Sequence, residues 1–306
     1  MALTIDQLTA TTKQFYVPKL VDNIYDEDAL LMRSKDKIVM KVGGGTVIRQ
    51  PVAYALGTAG GWYQGADSLD ISDTDEFSAA EYAWKQLYQN VVITGYDRMV
   101  NSGSEAVLDF VKEKVKNAGR AIRNNLATGL YSDGSTSDSI VGLRDICDTD
   151  QTVGGISQST YSWWAAQQDT TTTTITIPAL MTQYTAASIN NSKPTIVTTT
   201  RAIFNRYSGL LQPQQRFADA KTGNAGFQNL LFLGVPVVVS SKCPASHLFM
   251  INEEFLHLYV HKERNFEFED FKKLPTQDVT VGSILWMGAL GSSANRMHAS
   301  FTGLTA

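Results

Sequence analysis

SGSEAVLDFVKEKVKNAGRAIRNNLATGLYSDG, residues 102–134, carries the strongest local pattern in this chain. Val107, Val111, Val115, Ala118, Ile122 and Leu126 recur at spacings of three and four, which draws one continuous apolar stripe down a helix. Ser102 and Glu105 have the spacing of a capping box, in which each side chain meets an orphan backbone N–H of the other. Lys112, Lys114 and Lys116 fall off the stripe, and Arg120 and Arg123 follow nearer the C-terminus, where positive charge suits the helix dipole. Asp133-Gly134 ends the pattern. At about 1.5 Å per residue, a helix over 104–131 spans roughly 40 Å, long for a globular chain.

Upstream, SAAEYAWKQLYQNVVITGYDRMVN (78–101) reads as one long strand. Tyr82, Trp84, Gln86, Tyr88 and Asn90 share one face, and Ala83, Lys85, Leu87, Gln89 and Val91 the other, so both faces mix polar with apolar. Before it, DKIVMKVGGGTVIRQPVAY (36–54) holds two β-branched runs split by three glycines, and Pro51 marks the second run as an edge strand. Residues 46–93 therefore read as one long hairpin. Its tip is TAGGWYQGADSLDISDTDEF (58–77), whose Trp62, Tyr63, Leu69, Ile71 and Phe77 follow neither period. Asp67, Asp70, Asp73, Asp75 and Glu76 crowd its second half without a Lys or Arg. An isolated hairpin is marginal in water, so this one needs a partner surface. The first 37 residues include a short helical candidate, DNIYDEDALLMRSKDK (22–37), but have too few apolar positions to fold alone.

Downstream, STSDSIVGL (135–143) is a connector, TVGGISQSTYSWWAAQ (152–167) runs from glycines to aromatics, and DTTTTTITIP (169–178) is extended. Pro178 opens a helix expected to reach about Ile189. KPTIVTTTRAIFNRYSGLL (193–211) reads as strand, cap and helix, and FLGVPVVVSSKCP (232–244) and LFMINEEFLHLYVHK (248–262) as strands flanking turns. QDVTVGSILWMGALGSSANRMHASFTGL (277–304) reads as a hairpin around Gly291-Ser292-Ser293. Segregated helices and strands make the class α+β.

The 306 residues, 43% hydrophobic and 18% charged, suit one large or two modest cores. A net charge of -4 with no basic stripe argues against tight nucleic-acid binding, which phosphate contacts would drive. Cys147 and Cys243 lie far apart without metal-type spacing and read as free thiols. The N-terminus lacks a signal-peptide pattern, and no apolar run approaches the roughly 20 residues of a membrane span. His257 and His261 sit in an alternating, strand-like segment about 13 Å apart, which makes them surface histidines rather than a metal pair. Neither glycine cluster matches a phosphate loop, and the acids of 67–76 lack calcium-loop order. Trp62-Tyr63 and Trp163-Trp164 read as anchors in a core or subunit interface. No catalytic, cofactor-binding or metal-binding residue emerges.

An arm, a long hairpin, a very long amphipathic helix, a mixed central region and C-terminal strands follow one another in this chain. That order resembles the major capsid proteins of tailed bacteriophages, the Hong Kong 97-type fold. The resemblance rests on residues 102–134 at the spine-helix position, on GLRDICDTDQTVGGISQSTYSWWAAQ (142–167), and on FQNLLFLGVPVVVSSKCPASHLFMINEEFLHLYV (227–260). It implies an N-terminal arm at 1–41, an extended loop at 42–98, a peripheral domain at 99–149 and 263–306 with its spine helix at 104–131, and an axial domain at 150–262. It implies copies assembled as pentamers and hexamers into an icosahedral head around double-stranded DNA held by weak contacts. Portal, decoration and separate scaffolding proteins are the further partners expected, the last because no long helical prefix precedes the arm. Residues 42–84 contain no Lys, so a lysine cross-link from the loop is not expected. The expected location is the virion, with assembly in the host cytoplasm and no membrane. The loop acids, with Trp62 and Tyr63 as anchors, are expected to dock on Lys112, Lys114, Lys116, Arg120 or Arg123 of a neighbour. An encapsulin shell around cargo enzymes is the alternative within the fold, and a glycan-binding or hydrolytic protein the alternative outside it.

Overall fold

The computed structural model describes residues 30, 31, 33, 37–100, 104–136, 138–211 and 230–305. Most of the expected arm, and Ser102 of the capping box, lie outside the described residues. Strand β1 (Val39–Val42) leads through Gly43-Gly44-Gly45 to β2 (Val47–Ala53), and β3 (Phe77–Ala83) and β4 (Lys85–Thr94) follow the loop. Helix α1 (Gly95–Val100) precedes the spine helix α2 (Ser104–Leu130), and α3 (Leu143–Ile146) is a short turn of helix. Strands β5 (Thr152–Val153) and β6 (Ile156–Ser157) pair across Gly154-Gly155, both at positive φ as a tight hairpin turn requires. Next come β7 (Gln167–Asp169), helix α4 (Ile177–Ala186), β8 (Ile196–Thr199) and helix α5 (Arg201–Leu211). The chain continues with β9 (Leu230–Phe232), β10 (Val235–Val239), β11 (Leu248–Ile251), β12 (Leu256–Lys273), β13 (Val279–Ser292) and β14 (Ala299–Phe301).

The long helix forms where the stripe puts it. Val111, Val115, Ala118, Ile122 and Leu126 are all buried, and the helix lies on β4 of a four-stranded sheet ordered β1-β12-β13-β4. Lys114 ties the two together, donating from Nζ to the Val92 carbonyl (2.9 Å) and to Asp97 Oδ2 (3.2 Å). A second sheet, ordered β7-β14-β11-β8-β10-β9, is packed by α4 and α5 through Leu180, Tyr184, Ile203, Phe204 and Tyr207. Strands β8 and β11 are buried at every position, which explains why they read as unbroken apolar or threonine runs. Helix α4 begins as expected, its Thr176 cap accepting from the Ala179 N–H. It stops at Ala186 rather than Ile189, because Asn190 turns to positive φ and Ile189 bridges to Ser192.

Two sequence expectations are corrected. Residues 78–101 do not form one strand: β3 pairs only with β2, from Val47↔Ala83 to Ala53↔Phe77, whereas β4 pairs with β13 in the four-stranded sheet. The break falls at Trp84, whose indole N–H donates to the Gly45 carbonyl (2.9 Å) and whose ring meets His261 edge-on. Both legs of the hairpin thus turn at one level, one through glycines at positive φ (Gly44, Gly45) and one through an anchored tryptophan. Nor do residues 277–304 form a hairpin around Gly291-Ser292-Ser293. Strand β13 ends at Ser292, and β14 crosses into the second sheet between β7 and β11.

One buried charge cluster secures the N-terminal end of the described chain. Glu253, 2% exposed, receives Arg33 through both carboxylate oxygens (2.7 and 2.9 Å), Lys37 (3.4 Å) and the Thr195 hydroxyl (2.8 Å). Burial raises its carboxyl pKa, but the Arg33 and Thr195 hydrogen bonds outweigh this and hold it below the usual range.

Candidate functional site: an anchored hairpin with an uncovered tip

The hairpin root is fastened deep in the molecule. Tyr82 on β3 is buried, and its hydroxyl both donates to the Ser292 carbonyl (2.7 Å) and accepts from the Ser292 N–H (2.9 Å). That side chain therefore closes onto the backbone of β13 as a neighbouring strand would. Its ring lies against Gly291, where any β-carbon would sit 2.7 Å from it, and beside Gly154, where a β-carbon would sit 2.7 Å from Ala80. Gln50 on β2 accepts from the Tyr259 hydroxyl (3.0 Å), the Glu81 N–H donates to the Gly154 carbonyl (2.9 Å), and Tyr54 stacks on Trp163 at 5.0 Å.

Ser292 is held in turn by His298, which is fully buried. The Asn252 N–H donates to His298 Nδ1 (3.3 Å), so Nε2 carries the hydrogen and donates to Ser292 Oγ (3.1 Å). Desolvation, and then the nearby His257, push the His298 pKa down to about 3.

Beyond the Tyr54 N–H to Glu76 carbonyl bond (3.0 Å), the tip makes only local hydrogen bonds among the described residues. Gly60 N–H reaches the Thr58 carbonyl, Gln64 N–H reaches Asp67 Oδ2 and Ser72 N–H reaches Asp70 Oδ1, the last holding the Asp70 carboxyl below its ordinary pKa. Leu56, Trp62, Tyr63, Leu69, Ile71 and Phe77 are all exposed, Trp62 fully. Asp67, Asp70, Asp73 and Asp75 are exposed and Glu76 half-buried. This apolar stretch is left uncovered within one copy of the chain.

The cationic candidates on α2 divide. Lys112, Lys116 and Arg120 are exposed, with Lys116 loosely paired to Glu113 (3.6 Å). Lys114 is half-buried and already engaged with Asp97. Arg123 is corrected: at 5% exposure it is part of the subunit interior and offers no docking charge. It adjoins Ile122 on the buried face, and a long side chain can lie in apolar packing that its formal charge hides from the sequence. His257 is also corrected, because it is buried and its Nε2 faces Ser293 Oγ at 3.2 Å. The sequence reading missed Tyr82, Gln50, Tyr259 and Ser292 as the root clasp; Tyr82 and Ser292 are 210 positions apart, beyond any local pattern. Among the described residues no group of three or more His, Cys, Asp or Glu is placed to hold a metal ion, and no helix is long and apolar enough to cross a membrane.

The overall fold recurs in solved structures. The capsid asymmetric unit of cyanophage A-1(L) superposes with a TM-score of 0.67 at 14% identity, covering 90% of this chain and 93% of that one. The Hong Kong 97-type fold is the fold of this chain. A Mycobacterium phage Bobi structure shares it over 100% of both chains, with a TM-score of 0.57 and 10% identity. So does the holo-SrpI encapsulin complex of Synechococcus elongatus, with a TM-score of 0.61 and 10% identity over 89% of this chain and 87% of that one. No protein-family model matches the sequence, and no curated protein matches it significantly. At these identities the Hong Kong 97-type likeness is one of backbone architecture.

Proposed function

We propose that this chain is the major subunit of a phage head, assembling through pentamers and hexamers into a closed icosahedral shell around double-stranded DNA. The observation that carries this reading is the tip of the hairpin. It presents six large apolar side chains and a run of acids to solvent while its root is locked, on a fold otherwise found in shell-forming chains. Repeated contacts between copies, each of ordinary size, become strong collectively in a closed assembly.

In this reading 1–41 is the arm, 42–98 the extended loop, 99–149 and 263–306 the peripheral domain, and 150–262 the axial domain. The tip lies on a neighbouring copy, Trp62 and Tyr63 filling apolar recesses while Asp67, Asp70, Asp73, Asp75 and Glu76 face Lys112, Lys116 and Arg120. The acidic net charge suits a wall that encloses DNA without binding it tightly. Scaffolding, portal and decoration proteins would complete the head in the virion, assembled in the host cytoplasm.

Electron microscopy of the purified chain, with and without lysine at the five acidic positions, tests the interface. Shells or capsomer rings are expected for the unaltered chain and lost in the reversed one, with the subunit fold unchanged by circular dichroism. Unchanged particle yield after reversal would sink the docking. The encapsulin likeness supports a second reading, a cargo-enclosing compartment. Particles recovered from the native source would carry nuclease-protected DNA in the first case and a co-purifying protein in the second.

A further inference from the structure

Away from the hairpin, a cleft of about 930 Å³ opens between the end of α2, helix α3 and the edge of the second sheet. Asp133, Asp145, Asp148 and Asp150 line it against a single guanidinium, that of Arg144, which is already bound to Asp133 at 2.8 Å. Two of the four acids have donors nearby. Asp133 also takes the Ser135 N–H (3.3 Å), and Asp148 takes those of Thr149 and Asp150 (2.6 and 3.1 Å).

Asp145 does not. It is 9% exposed, borders the cleft, and accepts only at its main-chain carbonyl, from Gln158 (2.8 Å) and the Asp148 N–H (3.2 Å). Among the described residues no hydrogen-bond donor reaches its carboxylate. The carboxylate is pressed against Gly134, where a β-carbon would collide with Oδ2. Desolvation, then the charges of Asp133 and Asp148, opposed by Arg144, push its pKa up to about 6. A buried carboxylate without a donor is costly, and a cation entering the cleft would relieve that cost.

The form of the cleft selects among cations. A calcium ion needs about six to eight oxygens converging on one point, and the acids here do not converge as a metal set. They are spread along an open, oxygen-lined volume with Gln168, Thr170 and Ser300 on the walls. That spacing suits a cation whose charges are strung along a chain, each ammonium offering three donors. We propose that this cleft binds an aliphatic polyamine, with one ammonium on the Asp145 carboxylate and a second towards Asp148 and Asp150.

Isothermal titration of the purified full-length chain with spermidine at constant ionic strength tests the site. Saturable binding is expected, weakened about tenfold or more in Asp145→Asn, since one charged hydrogen-bonded partner is lost. Asp145→Asn removes a desolvated charge, so it should melt no lower than the unaltered chain. Thr170→Lys, at the exposed rim, carries a tethered ammonium into the cleft and should abolish the spermidine heat; it decides the matter alone if the first variant misfolds. Absent saturation, equal affinity in the variants, or tighter binding of calcium or magnesium than of spermidine overturns the proposal. Binding is read on the chain in solution, so failure here leaves the shell reading untouched.

Discussion

Seven residue pairs, from Val47↔Ala83 to Ala53↔Phe77, run through one hairpin, yet its two ends are held by different means. At the root, Tyr82, Gln50 and Glu81 each reach a different element, β13, β12 and the β5–β6 turn, while Tyr54, just past the last pair, stacks on the Trp163 ring. At the tip, the aromatics face solvent and the hydrogen bonds among the described residues are local to the loop. The root is stabilised within one copy. The tip has no such support within one copy. A rigid base and an unsatisfied end are what a docking arm requires, because a pre-set direction lowers the entropy lost on contact.

The comparison can be broken most forcefully at the root. Tyr82→Ala deletes the clasp and leaves a cavity against Gly291, with an expected loss of about 3–5 kcal/mol in chemical denaturation. A loss below 1 kcal/mol would show that the root is held elsewhere. Acid is the next lever. Neutral His298 holds Ser292, and its folded pKa of about 3 lies below the unfolded value, so the folded state binds fewer protons and stability falls as pH drops below about 6.5. The slope approaches roughly 1.4 kcal/mol per pH unit, and a comparison of denaturation midpoints at pH 7 and pH 5 measures it. A flat profile would remove His298 from the clasp. Gly154→Ala should cost about 1–2 kcal/mol, because a side chain is disfavoured at φ +63 and its β-carbon meets Ala80. The smallest effect on folding belongs to the tip. Trp62→Ala is expected to change subunit stability by less than about 0.5 kcal/mol while reducing particle yield by electron microscopy. Equal yield would mean that the anchor lies at another residue.

Legibility followed the range of the interactions. The spine helix was readable because its stripe is set by neighbours three and four apart, and Pro51 placed β2 at an edge from its missing N–H alone. The break at Trp84 was not, since side-chain alternation runs through it unbroken and only the contacts with Gly45 and His261 end the strand. Arg123 was misplaced because formal charge outweighed its position beside Ile122. The uncovered tip was legible as a misfit, its apolar residues obeying no period. The clasp beneath it was invisible, because Tyr82 and Ser292 meet only in the folded chain.

Strand β14 has a bearing on the order of events during synthesis. It lies between β7 and β11, so a nascent chain that has made everything up to Met297 still has a gap in its second sheet, with the edges of both flanking strands unpaired. No ribosome-bound fragment ending before Phe301 can close it. Each copy that completes this sheet has therefore been translated through β14, and half-made chains crowded on one messenger present two unpaired strand edges.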